Sequence, residues 1–281
     1  MDREFVLAIL VALLCGSTLT AAGWWPRAAA IASSGRELER RTWQRLWAPM
    51  LPAGFLLAAL CGWAVVEPAS AERVPNCLLW SAVPFAAVLG RAAWRAARSL
   101  VRACPSHTVA TIGLLRPRIV LAPHIAHALD EGALAAALEH ERAHVQHRDP
   151  LRLWIAQFGT DLLWPWPAAA VRFRHWRQAL ELARDEETRL QGIPGPDLAA
   201  AIVTSVRLNC HKGSPSTATL GGDASYLTER LARLMRPLDT ASPLVCGGTG
   251  WLLVLGAGLC AAAVLGTEFG ERVVHTLLAR A

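Results

Sequence analysis

The sequence predicts a mainly α protein: four membrane-crossing helices and a mostly helical cytoplasmic domain that contains one small β-hairpin. Three observations predict it. The 281 residues are 53% hydrophobic and 18% charged, with a mean hydropathy of +0.31. An average soluble domain is about 45–50% apolar and about 25% charged, so an ordinary soluble protein and a disordered chain are both excluded. The apolar excess is gathered into four runs close to the roughly 20 residues that a helix needs to cross a bilayer. The long stretch between the third and fourth runs, 95–243, has ordinary composition and reads as helices, apart from two β-branched runs around a glycine and a proline.

The apolar runs are 5–23 (within a first span, 1–25), 47–66, 77–94 and 244–266. Pro49 and Pro52 sit near one end of the second, and Pro84 lies inside the third. Membrane helices tolerate proline because neighbouring helices re-satisfy the freed backbone groups. A fifth apolar patch, 153–171, contains Asp161 and the breaker run Trp164-Pro165-Trp166-Pro167, and reads as a buried or interfacial segment. The first run follows Asp2, Arg3 and Glu4, which sum to minus one. A cleaved signal peptide begins with positive charge, so this run reads as an uncleaved anchor.

Arginine placement orients the spans. The loop 26–46 carries Arg27, Arg36, Arg40, Arg41 and Arg45 against Glu37 and Glu39, whereas the loop 67–76 has only Arg73 against Glu67 and Glu72. Arg91, Arg95, Arg98 and Arg102 cluster at the end of the third run. The expected topology is multi-pass in the cell membrane: both termini outside, 26–46 inside, 67–76 outside, 95–243 cytoplasmic and a short outside tail, 267–281. The net charge of +6 lies mostly between residues 91 and 242. It reads as a topology signal, and no nucleic-acid-reading motif accompanies it. The seven cysteines include no CxxC pair, so neither a disulfide framework nor a cysteine zinc ribbon is indicated.

Within the cytoplasmic stretch, residues 107–122 place β-branched runs on either side of Gly113 and Pro117, the pattern of a small hairpin. Asp130 then stands where a helix N-cap belongs, with Glu131 in the first turn and an alanine-rich run to about Arg148. On this helix lies His140-Glu141-Arg142-Ala143-His144, an HExxH motif. Residues four apart share one helical face, so both imidazoles can reach one zinc ion, and Glu141 is placed to deprotonate a water on the metal. Zinc lowers the pKa of such a water to about 7.

The third ligand is narrowed by what the sequence lacks. HExxHxxGxxH fails, because position 147 is His and position 150 is Pro. Between Glu141 and Glu181 there is no other glutamate, and the only aspartates are Asp149 and Asp161. Glu181 opens Glu181-Leu182-Ala183-Arg184-Asp185-Glu186, in which Glu181 and Asp185 face the same way on a helix. One carboxylate can take the metal while the other orients a ligand histidine from behind. The bland reading, a solvated acidic face paired with Arg177, Arg184 and Arg189, is outweighed by the HExxH upstream. His147 reads as a surface histidine, and nothing local supports Tyr226, the only tyrosine, as an oxyanion donor.

These elements resemble the BlaR/MecR-type membrane metallopeptidases. The matching segments are Gly113-Leu114-Leu115-Arg116-Pro117-Arg118-Ile119-Val120-Leu121, the HExxH itself, Arg148-Asp149-Pro150-Leu151, the run from Glu181 to Glu186, and Glu229-Arg230-Leu231-Ala232-Arg233-Leu234. The resemblance implies a gluzincin-type site, with Zn2+ on His140, His144 and Glu181, Glu141 as the catalytic base, and Asp185 behind a ligand histidine. It further implies an endopeptidase that hydrolyses a cytoplasmic protein, commonly a winged-helix repressor, and often its own chain, in signal transduction. The expected partners are the lipid bilayer and that protein substrate, with no direct nucleic acid. In the family's antibiotic sensors a large extracellular penicillin-binding domain follows the fourth span, whereas here only 267–281 follow it. β-Lactam sensing by that route is not expected. Arg184 stands where a cysteine is common, and Trp164-Pro165-Trp166-Pro167 replaces a Trp-Phe-Asn-Pro-like run, neither at an expected ligand. The alternatives are a housekeeping membrane protease of the HtpX or CAAX-processing type, and a non-catalytic membrane receptor.

Overall fold

The computed structural model describes residues 3–23, 34–66, 76–101, 109–210, 220–238, 256 and 258–263. A backbone in hydrocarbon must satisfy its own hydrogen bonds, so the apolar runs become helices. Helices α1 (Arg3–Leu10) and α2 (Gly16–Gly23) are joined by a π-helical segment, Val11–Cys15. Helix α3 (Gly35–Trp47) continues through a 3-10 turn, Ala48–Met50, into α4 (Leu51–Val66), and α5 spans Asn76–Val101. Phe5–Gly23, Gly35–Val65 and Asn76–Ser99 are long and apolar enough to cross a membrane. Val6, Leu10, Leu60, Trp63 and Ala82 form the core between them, while Trp80, Val83 and Trp94 are exposed, as side chains facing lipid would be. The expected fourth span, 244–266, lies outside the described residues except for 256 and 258–263, which are helical.

Residues 35–46 of the stretch read as a loop form most of α3. Its arginines and glutamates read as loop charge, yet their helical spacing leaves Trp43, Leu46 and Trp47 on one face. That face packs on Ala156, Trp176 and Leu180. Helix α3 starts at Gly35 because Ser34 caps it, its Oγ accepting from the Glu37 N–H at 3.2 Å. Gly35 lets it lie against the backbone at Leu182, since a Cβ there would stand 2.6 Å from the Leu182 carbonyl oxygen.

The hairpin is present as read. Strands β1 (Val109–Ile112) and β2 (Arg118–Leu121) pair antiparallel, with Val109 opposite Leu121 and Ile112 opposite Arg118. Gly113 takes the left-handed conformation, φ 96°, that begins the turn. After the short α6 (Pro123–Ala126) comes α7 (Glu131–Gln146), capped by Asp130, whose Oδ1 accepts from the Ala133 N–H at 2.7 Å. The remaining helices are α8 (Asp149–Leu162), α9 (Pro167–Leu190), α10 (Gly195–Cys210) and α11 (Leu220–Met235). Small side chains let α7 sit close to its neighbours: Ala136 packs with Leu198, Ala199 and Leu234, and Ala133 and Ala137 pack with Ile125 and Ala201.

The 153–171 patch is the end of α8, a turn and the start of α9. Its Leu163 and Ala169 join the core of the membrane helices. Asp161 is buried there against Arg91 and Arg95 of α5, at 3.6 and 3.0 Å.

Candidate metal centre

His140 and His144 are one turn apart on α7 and both buried, with ring centroids 4.8 Å apart. Their Nε2 atoms stand 3.1 Å from each other. Glu181 reaches in from α9, with Oε2 3.4 Å from His140 Nε2 and Oε1 3.8 Å from His144 Nε2. One donor atom from each of the three lies within 4.8 Å of the others.

Each imidazole is backed by a carboxylate at its other nitrogen. Asp149 Oδ2 is 2.8 Å from His144 Nδ1. Asp185 Oδ1, one turn beyond Glu181, is 3.1 Å from His140 Nδ1, off the ideal N–H···O direction. Protons at both Nδ1 positions leave both Nε2 lone pairs pointing at each other. Two bare lone pairs repel at that separation unless a cation or a proton lies between them. Zinc ligands at about 2.0–2.1 Å in a tetrahedron stand roughly 3.3 Å apart. The donor set therefore fits a zinc ion, and carboxylates behind the histidines are how such ligands are held to one tautomer and orientation.

Charge is dense here. Burial alone pulls the His140 imidazole down, but Asp185 and Glu181 outweigh it and raise its pKa to about 9. For Glu181 burial raises the pKa, and Arg230 with His140 overcomes this to hold it well below the usual carboxylate range. Asp149 follows the same pattern, with His144 and Arg184 as the overriding partners. Arg184 is itself buried and donates to both Asp149 oxygens, at 2.6 and 3.1 Å.

Of the residues that the sequence singles out, His140, His144 and Glu181 come together and Asp185 lies directly behind His140. Glu141 is on the same helix, turned toward the hairpin. There Thr111 Oγ1 lies 2.7 Å from its Oε2 and donates to it. His147 is exposed and pairs with Glu187 at 2.9 Å. The Tyr226 hydroxyl donates to the Gln178 carbonyl at 2.9 Å.

Three residues at the centre carry no role in the sequence reading. Asp149 is one, and its signal was its place in Arg148-Asp149-Pro150, just past the HExxH helix. Arg230 of α11 is another. Its Nε and Nη2 clamp Asp185 at 2.5 and 2.8 Å, and Nη2 is also 3.2 Å from Glu181 and 3.5 Å from His140 Nε2. Thr111 is the third, and a lone threonine in a strand carries no recognisable signal.

Comparison with known proteins bears on residues 101–234, which match the family model described as BlaR1 peptidase M56. No curated protein and no solved structure matches the chain.

Proposed function

Residues 101–234 belong to the BlaR1 peptidase M56 family of membrane-associated metallopeptidases, and from that premise we propose that this chain is a zinc-dependent endopeptidase that hydrolyses a cytoplasmic protein. The observation that carries the reading is the pair of buried histidines, each backed by a carboxylate at Nδ1 and facing Glu181 and the other at Nε2. A non-catalytic receptor has no need of that arrangement.

His140, His144 and Glu181 would hold the metal, which when bound supplies Lewis acidity toward a carbonyl and an attacking water. Glu141 takes the proton from the water and passes it to the leaving amine. Thr111, donating to Oε2, keeps the Glu141 carboxylate in one orientation and leaves Oε1 for that proton. Arg230 keeps a fixed cation beside the donor set, where negative charge collects on the scissile carbonyl oxygen. A preorganised charge of this kind needs no rearrangement during the reaction. The substrate class rests on the family: a winged-helix repressor, and the chain itself, as part of a signalling response. The active site would face the cytoplasm, because the arginines cluster at that end of the spans.

The test compares new protein N-termini in cells making the parent or Glu141→Gln. The variant keeps its metal and loses cleavage by about 10²-fold or more. A repressor fragment formed only with the parent supports the reading, and identical N-termini in both would sink it.

A further inference from the structure

Helix α3 carries Glu39 and Trp43 one turn apart, and both meet Arg152 of α8. Glu39 Oε1 pairs with Arg152 Nη2, and the Arg152 guanidinium lies over the Trp43 ring, 4.9 Å from its centroid. From its other nitrogen, Nη1, Arg152 donates to Asp149 Oδ1 at 3.1 Å. Asp149 is wholly buried, and its second oxygen holds His144 Nδ1. An unbroken chain of charged contacts therefore runs from Glu39 through Arg152 and Asp149 to His144.

The same helix is fastened at its other end. The Gly35 and Arg36 backbone N–H groups donate to Glu186 Oε2 at 2.5 and 3.3 Å. Glu186 follows Asp185, the carboxylate behind His140. Helix α3 thus reaches Arg152, which holds Asp149, and Glu186, the neighbour in sequence of Asp185, and it is the continuation of the helix that runs to Val65 through the second apolar span.

We propose that Glu39 is a positioning residue of the metal centre: through Arg152 and Asp149 it fixes the ring of His144, so that the metal is held tightly only while α3 is docked. Asp149 has two arginines and one imidazole competing for two oxygens. Glu39 draws Arg152 toward α3 and sets where its guanidinium stops. Without that counter-charge Arg152 swings further onto Asp149 and draws it off His144. The position of a membrane helix is in this way coupled to metal affinity. This inference rests on the metal reading above.

The experiment uses the full chain in detergent micelles and measures Co2+ affinity and the Co2+ absorption spectrum. The variants are Glu39→Gln, Arg152→Lys, Glu37→Gln and Glu181→Ala. Among the described residues Glu37 pairs within α3, with Arg40 and Arg41, and it serves as the charge control. Glu39→Gln should weaken Co2+ binding about three- to tenfold and shift its spectrum, a smaller loss than the 10–100-fold typical of a group bonded directly to a ligand. Arg152→Lys should also weaken it, and Glu37→Gln should match the parent. Parent-like affinity and spectrum in Glu39→Gln, with Glu181→Ala unable to bind, overturns the proposal while the metal centre stands. Parent-like binding by Glu181→Ala overturns the metal reading itself, and the proposal with it.

Discussion

His144 Nδ1 and Asp149 Oδ2 are 2.8 Å apart with only four residues of chain between them. Arg148 makes this possible, because its left-handed conformation, φ 52°, turns the chain sharply between α7 and α8. A non-glycine residue in that region is strained, and here it brings Asp149 back beneath the helix that carries the histidines.

Asp149→Asn should weaken zinc binding by about 10–100-fold, since the group that orients a ligand histidine is lost. It also takes from the buried Arg184 one of its two counter-charges, Glu187 at 2.9 Å being the other, and should lower stability. Zinc competition and chemical unfolding check the two effects separately. An unfolding midpoint equal to that of the parent would remove the structural half of this account.

Thr111→Val should leave the metal content unchanged and lower kcat roughly tenfold, because the Glu141 carboxylate loses the donor at its Oε2. Thr111→Ser keeps a hydroxyl at the same Cβ and should recover most of the rate. A valine variant as fast as the parent would show that the hydrogen bond does not matter, since valine keeps the methyl group and lacks only the hydroxyl.

Arg230→Gln should lower kcat by about 10²-fold while zinc stays bound, if its charge serves the developing oxyanion. Arg230→Lys should recover little, because a lysine cannot make the two-pronged contact with Asp185. Steady-state kinetics beside metal analysis reads this. A variant that loses zinc and rate together would make Arg230 a structural clamp on Asp185 and nothing more.

In the metal-free protein, the raised His140 contributes stability that is fully present below its ordinary pKa of 6.5 and is lost as pH rises through about 9. Asp149 and Glu181, depressed from ordinary values of 3.8 and 4.5, contribute stability present above those values and lost as pH falls. Metal-free protein should therefore melt highest between about pH 5 and 6.5 and lose stability toward pH 9. Zinc takes the neutral imidazole, so its affinity should rise over that same interval. Melting temperatures with and without chelator test both statements. A metal-free Tm that climbs from pH 6.5 to 9 would contradict them.

Much of this molecule is legible in the chain itself. The apolar runs had to become helices, because hydrocarbon offers no partner for a backbone N–H. Asp130 marked the start of α7, and Gly113 marked the hairpin turn. A helical repeat of 3.6 residues put His140 with His144, and Glu181 with Asp185, on shared faces.

Periodicity names a face but not what lies opposite it. That Glu181 meets the Nε2 side of the histidines while Asp185 stands at His140 Nδ1 was set by how α9 lies across α7. Thr111 meets Glu141 from 30 residues away, and Arg230 meets Asp185 from 45. The charges of α3 read as a loop until Trp43 and Leu46 found Trp176 and Leu180. The sequence by itself determined that the apolar runs and the stretch capped by Asp130 form helices and which groups can bind a metal, because both follow from local spacing. Only the tertiary structure decided which charges stand behind those groups, because that depends on helices brought together by the burial of their apolar faces.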